Sequence, residues 1–271
     1  MTSLLKTEWL KIRKYPAFWA MAGIVALTYP GINSIFYKIF NDLTKRGDAH
    51  TKMIMKMLVG NPFTFPEVWH TVSYASSIFI FIPAIVVIMF ITNEYTYKTH
   101  RQNIIDGWSR NQFMTSKFID VLIVALLATL VFVIVALIIG YINIDESNGN
   151  AWGQTKYIGM FFLQTFSQLS IAFLIALLTR KAFIALGVLL FYKIAEKILA
   201  GFATWKANDI GRFLPFEMSN RLIPVPAFLG RFDEKGYQRN LDLMNQHLAL
   251  TIGLIILTWA ICFWINKKRD L

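Results

Sequence analysis

The sequence predicts an all-α polytopic membrane protein with six transmembrane helices. Of its 271 residues, 56% are hydrophobic and only 16% are charged, whereas an average soluble domain carries about 25% charged residues. The apolar residues also gather into blocks of about 20, the length that a helix needs to cross the roughly 30 Å hydrocarbon core of a bilayer. Each block is predicted to be helical, because backbone groups inside lipid must satisfy one another's hydrogen bonds.

The predicted elements form one transmembrane domain, residues 1–271. An amphipathic helix over 1–15 is predicted to lie in the headgroup layer, with no signal-peptide cleavage site after the apolar stretch that follows it. Proline falls inside the first two predicted spans, at Pro30 and Pro83, where it bends a helix. The stretch 204–245 is too apolar for a disordered linker, and we expect it to fold as short helices against the outer face. The six predicted spans are 16–36, 72–92, 119–141, 157–178, 182–203 and 246–265.

Charge indicates how the chain is oriented. Six spans place both termini on one side, together with the segments 93–118 and 179–181, and lysine and arginine are denser there than in the opposite loops. The positive-inside rule therefore predicts cytoplasmic termini. The net charge of +11 does not indicate nucleic-acid binding, because the basic residues flank membrane blocks and form no continuous groove.

The sequence lacks the common catalytic and cofactor motifs. It has no Gly-x-x-x-x-Gly-Lys-Ser/Thr loop for ATP, no His-Glu-x-x-His pair and no Gly-x-Ser-x-Gly elbow. The four histidines are far apart in sequence, and the single cysteine, Cys262, cannot form an intrachain disulfide. No catalytic, cofactor or metal residue is predicted, although a site assembled only in three dimensions stays open.

The most informative stretch is 93–118, between the second and third spans. It is predicted to form a short amphipathic helix, a turn at Gly107, and then a second helix with Ser109 as its N-cap. A basic helix with an exposed apolar face is typical of a docking element for another protein. The competing interpretation is a basic loop that serves only to fix the orientation of the chain.

Over its whole length the chain resembles the permease subunits of type-2 ABC exporters, of the small six-helix bacterial type. The resemblance rests on the N-terminal Lys11-Ile-Arg-Lys-Tyr-Pro-Ala-Phe-Trp19, on Glu94 after the second span, and on Thr99…Ile105-Asp-Gly-Trp-Ser-Arg110…Ser116-Lys117. In that family this stretch is the coupling helix, which sits in a cleft of the ATPase subunit. Many relatives have a proline where this chain has Trp108. The docking residues that the resemblance implies are Glu94, Tyr97, Arg101, Ile104, Ile105, Gly107, Trp108 and Arg110.

The resemblance also implies a function and partners. The chain would be the permease of an ATP-driven exporter in the bacterial cytoplasmic (inner) membrane, moving an amphipathic small molecule, peptide or lipid. ATP and Mg would bind to separate ABC ATPase subunits, so this chain would not itself be an enzyme, and it would pair with a second permease copy or a paralogue. The alternatives are a membrane-embedded enzyme, or a channel or sensor subunit that has no ATPase.

Three ionisable residues fall inside the fifth predicted span: Lys193, Glu196 and Lys197. Charges inside a span cost about 2.5–3.5 kcal/mol each, so they should pair or face water. Lys193 and Glu196 are three residues apart and can meet on one helix face. They would line an inter-subunit cavity or hold an outer gate, or else form structural ion pairs in an outer vestibule; a proton relay is the third interpretation.

Overall fold

A computed structural model describes residues 13, 16–46, 61–105, 107–144, 150–205, 209–230 and 234–268. Within this part of the chain the regular secondary structure is helical, and no strand occurs. The predicted amphipathic helix over 1–15 lies outside the described residues, apart from Arg13. The helices are α1 Pro16–Arg46, α2 Val68–Ser77, α3 Phe81–Thr96, α4 Thr99–Ile105, α5 Arg110–Ile142, α6 Lys156–Thr179, α7 Ala182–Trp205, α8 Pro215–Asn220, α9 Ala227–Gly230, α10 Glu234–Asp242 and α11 Met244–Lys268, with a 3-10 helix at Asp209–Phe213.

In the part of the chain that the structure describes, the protein is an all-helical membrane protein with four to five candidate membrane-spanning helices. Among the described residues, α1, α5, α6 and α11 are each long and apolar enough to cross a bilayer, and α2 with α3 forms a fifth, bent candidate. Helix α7 has a comparable length of 24 residues and carries the three ionisable residues that the sequence placed in the fifth predicted span.

The first helix is longer than its predicted span. The prediction that a loop begins after residue 36 is wrong, because α1 continues to Arg46. The extra turns carry aromatic side chains with partners in the tertiary structure: the rings of Tyr37 and Phe40 lie 5.2 and 5.7 Å from the ring of Phe63. Contacts of this kind extend the helix beyond the apolar block that composition alone outlines.

The second predicted span is broken rather than continuous. Helices α2 and α3 meet at an angle of 49°, and Pro83 is the third residue of α3. A proline has no backbone N–H, and its ring clashes with the carbonyl group four residues earlier, here that of Phe79. The break therefore falls just before the proline, and α2 and α3 run in different directions on its two sides.

Helix α6 lies at the centre of the bundle, with about 72% of its most apolar stretch buried. It contacts α3, α5, α7 and α11. Its partner on α11 is Trp259, whose ring stacks on Phe173 at 5.0 Å and whose indole nitrogen donates a hydrogen bond to Ser170 Oγ at 2.9 Å. This central helix is thus fixed by apolar packing and by a hydrogen bond that satisfies the indole.

Successive connections collect at two ends of the bundle. At one, called here the loop end, the residues before α2 meet those before α6: Trp69 Nε1 donates to the Ala151 carbonyl at 2.8 Å, and Gln154 contacts Glu67. At the other, called here the basic end, α4 lies near the α6–α7 turn and the end of α11. The Arg180 guanidinium lies 4.9 Å from the ring centre of Tyr95 there. The described basic residues of this end include Lys98, Arg101, Arg110, Arg180, Lys181, Lys267 and Lys268.

At the loop end, the 3-10 helix packs its backbone directly on α7. A Cβ atom added at Gly211 would lie 2.8 Å from Ala200 Cα and 3.2 Å from Ala203 Cβ. The glycine and the two alanines together allow this close approach. Because the nearest atom belongs to the helix backbone, no side-chain rotation can relieve the contact.

We therefore expect Gly211→Ala to destabilise the protein by about 1–3 kcal/mol, the usual cost of overpacking a buried site. The matched control is Gly201→Ala on α7, where an added Cβ meets no atom within 4 Å. Thermal unfolding in a non-ionic detergent should show a lower Tm for the first variant only. Equal Tm values for both variants would contradict the close contact.

Candidate functional site

The short helix α4 connects two candidate spans at the basic end and is anchored on its inner face. His100 and Asn103 are buried, and His100 Nδ1 lies 3.0 Å from the carbonyl oxygen of Glu94. The imidazole ring also lies 4.5 Å from the ring of Tyr95. Left-handed backbone at Lys98 and Gly107, with φ of 55° and 97°, turns the chain into and out of this helix. The glycine accepts that conformation without a steric penalty.

The outer face of this segment is exposed, and it is both apolar and basic. Tyr97 is 74% exposed and Ile105 is 77% exposed, and the side chain of Arg101 is exposed between them in sequence. These three residues are called here the docking face. Of the other residues predicted for docking, Gly107 is exposed, while Ile104, Trp108 and Arg110 are half-buried.

The start of α5 confirms the predicted N-cap. Ser109 Oγ accepts a hydrogen bond from the Gln112 amide at 3.2 Å, and Gln112 Oε1 accepts one from the Ser109 amide at 2.8 Å. This reciprocal pair is a capping box, which satisfies two backbone donors at the helix start. Arg110 then donates to the Lys267 carbonyl at 2.9 Å. The segment is thereby tied to the end of α11.

Glu94 lies beneath the docking face rather than on it. It is buried and accepts a charge-assisted hydrogen bond from Lys117 Nζ at 2.7 Å, while Asp120 Oδ2 lies 3.2 Å from the same nitrogen. The Lys117 side chain is only 1% exposed, and its ammonium lies 4.6 Å from the ring centre of Phe90. This ionic cluster joins the end of α3 to α5, directly below α4.

The span-five residues lie towards the loop end, in a partly open cavity of about 400 Å³. Lys193, Glu196 and Lys197 all line it; Glu196 is 2% exposed, Lys193 is half-buried and Lys197 is exposed. The end of α2 also borders the cavity, just before the break in that span. The other polar and charged residues of the lining are Tyr74, Ser77, Gln164, Glu217, Asn220, Arg221 and Asn240.

Glu196 does not form the predicted pair with Lys193. Its Oε1 accepts a hydrogen bond from the Glu217 amide at 2.7 Å, in the first turn of α8. The Phe216 amide and the Tyr192 hydroxyl face the same carboxylate. The carboxylate therefore caps a short helix that packs between α6, α7 and α11. This geometry favours a structural role for Glu196 itself.

Amide and imidazole groups from two other helices hold the same segment. Gln164 Nε2 and Gln168 Nε2 donate to Asn220 Oδ1 at 3.1 and 2.9 Å, and His70 Nε2 lies 2.8 Å from the Pro224 carbonyl oxygen. Residues 215–225 are called here the inserted segment. The inserted segment gives these buried polar side chains the partners that they need inside an apolar bundle.

A family model described as "Protein of unknown function (DUF2705)" matches residues 53–271, which is most of the chain. The chain belongs to this family. No curated protein matches it. The matched region of this DUF2705 member contains both the docking face and the cavity. Among its described residues, no group of three or more His, Cys, Asp and Glu side chains could hold a metal ion.

Sequence reasoning missed several residues of this DUF2705 chain that the structure brings to the two sites. The sequence analysis includes Lys117 only in the motif that precedes the third span, although the Lys117–Asp120 spacing at the start of an apolar block is a signal of a buried ion pair. Gln164, Asn220 and Arg221 carried no signal, since they reach the cavity from elements distant in sequence.

Removing the cation of the ionic cluster should be costly. We expect Lys117→Met to lower the free energy of unfolding by about 3–5 kcal/mol, because it removes the buried cation that lies between the Glu94 and Asp120 carboxylates. The control is Lys181→Met, an exposed lysine at the same end, which should change stability by less than about 0.5 kcal/mol. Unfolding followed by tryptophan fluorescence in detergent measures both.

A second variant distinguishes two causes of destabilisation by Lys117→Met, the loss of the cation and the loss of side-chain packing. Adding Glu94→Gln and Asp120→Asn to Lys117→Met neutralises the two carboxylates of the cluster and should recover a large part of the stability. A triple variant no more stable than Lys117→Met, or a Lys117→Met variant as stable as the control, would contradict the ionic cluster.

Proposed function

We propose that this chain is the membrane subunit of an ATP-driven exporter, and that the docking face binds a separate ATPase. The observation that carries the proposal is the short helix α4 between two candidate spans. Its inner face is buried through His100 and Asn103, while Tyr97, Arg101 and Ile105 remain exposed. Exposed apolar side chains beside a basic one on a rigid element suit an interface with another protein.

The ionic cluster gives this docking face a mechanical connection to the interior. Glu94 lies in the last turn of α3, Lys117 and Asp120 belong to α5, and α4 lies between these two helices in sequence. A displacement of α4 by a closing ATPase would therefore move both helices together. Because packed cores resist continuous deformation, such a displacement is passed on as movement of whole helices.

The proposal includes six passages through the membrane. Four apolar helices and the bent pair account for five, and α7 is the sixth, with its charges turned to the cavity. The alternation of connections between the basic end and the loop end supports this count. The positive-inside rule then places the basic end and both termini in the cytoplasm of a bacterium, with residues 204–245 outside.

The proposed complex has four parts: this chain, a second copy or paralogue, and two ATPase subunits that carry ATP and Mg. The proposed cargo is an amphipathic small molecule, peptide or lipid that passes between the two permeases. These assignments rest on the resemblance to type-2 ABC permeases together with the placement of α4.

The test is affinity purification of the tagged chain from its native membrane in mild detergent, with co-purified proteins identified by mass spectrometry. An ATPase containing a P-loop should co-purify with the wild type. The Arg101→Glu, Ile105→Asp double variant should reduce its recovery at least about tenfold, since one charge is reversed and another is placed in an apolar contact.

The matched control is the Lys156→Glu, Ile210→Asp double variant at the loop end. It also reverses one basic charge and replaces one exposed isoleucine by aspartate, and both side chains are exposed there. It should retain the ATPase. An ATPase that is kept by the first variant, or lost equally from both, would refute the docking face. Absence of any P-loop ATPase from the wild type would refute the exporter proposal and favour a channel, sensor or enzyme.

A further inference from the structure

The cavity beside α7 holds two lysines that have no ion-pair partner among the described residues. Lys193 and Lys197 are four residues apart on one helix, so their ammonium groups are neighbours. No carboxylate lies within ion-pair distance of either lysine in the described part of the chain. The contact of Lys193 is instead with the ring of Phe216, whose centre is 5.9 Å from Nζ.

Each carboxylate that lines the cavity has a contact with a group other than these two lysines. Glu196 accepts the amide of Glu217 at 2.7 Å, and Glu217 Oε2 lies 3.6 Å from Arg221 Nε. The lining therefore carries three cations and two carboxylates, a net charge of +1, with the excess on the two lysines. Two neighbouring like charges beside an apolar bundle repel each other and favour a bound anion.

A buried acceptor at the same cavity indicates a second property of the ligand. Gln164 is 1% exposed and lines the cavity; its Nε2 donates to Asn220, and its Oε1 has no hydrogen-bond partner among the described residues. An unpaired buried carbonyl costs about 1–3 kcal/mol. A hydroxyl or amino group on the ligand would satisfy it, so the ligand carries a donor as well as an anionic group.

The surface next to the cavity is apolar. Phe191, Ile194 and Ile198 are exposed on the flank of α7 that faces away from the bundle, next in sequence to the two lysines. The cavity volume of about 400 Å³ suits a polar headgroup and is too small for two acyl chains as well. A ligand whose headgroup enters the cavity can therefore lay its hydrocarbon chains along α7.

We propose that this cavity is a binding site for the phosphate group of an amphipathic phosphate ester that carries a hydroxyl or amino group. Lys193 and Lys197 bind the phosphate, with Arg221 behind them, and Gln164 Oε1 accepts the hydrogen bond from the hydroxyl or amine. The site does not depend on the exporter proposal, because it involves no residue of the docking face and no ATPase.

The test is a binding titration of the purified full-length chain in non-ionic detergent, read by native mass spectrometry. The probes are phosphatidylglycerol, which has a phosphate and free hydroxyls, and diacylglycerol with the same acyl chains and no phosphate. We expect one phosphatidylglycerol to bind preferentially. The Lys193→Gln, Lys197→Gln double variant should weaken that binding about tenfold or more.

The matched control is Lys38→Gln with Lys156→Gln, which removes two exposed charges at the same end of the bundle but outside the cavity. It should change the affinity less than about twofold. The Lys193→Arg, Lys197→Arg variant keeps the charge and should retain most of the binding. If the glutamine double variant has a lowered Tm, the single Lys197→Gln variant, whose side chain is exposed, replaces it and should weaken binding at least about threefold.

Inorganic phosphate distinguishes the source of the ligand. Persistence of bound phosphatidylglycerol in millimolar phosphate would support the amphipathic ester, whereas its displacement would assign the site to a free oxyanion and overturn the amphipathic part of the proposal. Equal weakening by the cavity and control variants, or equal binding of diacylglycerol, would overturn the site and indicate general attraction of detergent-bound lipid to a basic surface. Both results are independent of whether an ATPase binds.

Discussion

The constraint on which this structure depends is that polar side chains inside apolar helices must find partners within the protein. Two places in the described structure bear on the candidate sites. Near the basic end, Lys117 balances Glu94 and Asp120 inside the bundle. Towards the loop end, the inserted segment supplies backbone and side-chain partners to Glu196, Gln164, Gln168 and His70. The ionic cluster holds the helices on both sides of α4, and the buried polar side chains hold the inserted segment against the bundle. The docking face and the cavity lie at these two connections.

The two sites differ in how completely their charges are balanced. The ionic cluster is buried and joins two helices, so it favours rigid transmission from α4 to the interior of the bundle. The cavity has a surplus of positive charge and an unpaired acceptor, so it favours the binding of something from outside the chain. The break before Pro83 contributes to this difference, because the end of α2 diverges there from α3 and borders the cavity.

The sequence predicted the class of the fold and the positions of most long helices, since blocks of 20 apolar residues are a strong signal. It also predicted the N-cap at Ser109, which depends only on neighbouring residues. It did not predict where α1 ends, because the extra turns of that helix are stabilised by tertiary contacts of Tyr37 and Phe40 with Phe63. Contacts between residues far apart in sequence, such as Glu94 with Lys117 and Glu196 with Glu217, require the folded chain; for Glu196 the sequence suggested a different partner, Lys193.

The central claim is that the docking face and the cavity lie on opposite sides of the membrane, with the docking face in the cytoplasm. It is tested by labelling intact cells with a membrane-impermeant maleimide. In a Cys262→Ala background, which removes the single cysteine, Ile105→Cys and Ile210→Cys each introduce one exposed thiol, one at each end of the bundle. The account predicts labelling of Ile210→Cys in intact cells and of Ile105→Cys only after permeabilisation. Labelling of Ile105→Cys in intact cells, or of both variants from the same side, would contradict it.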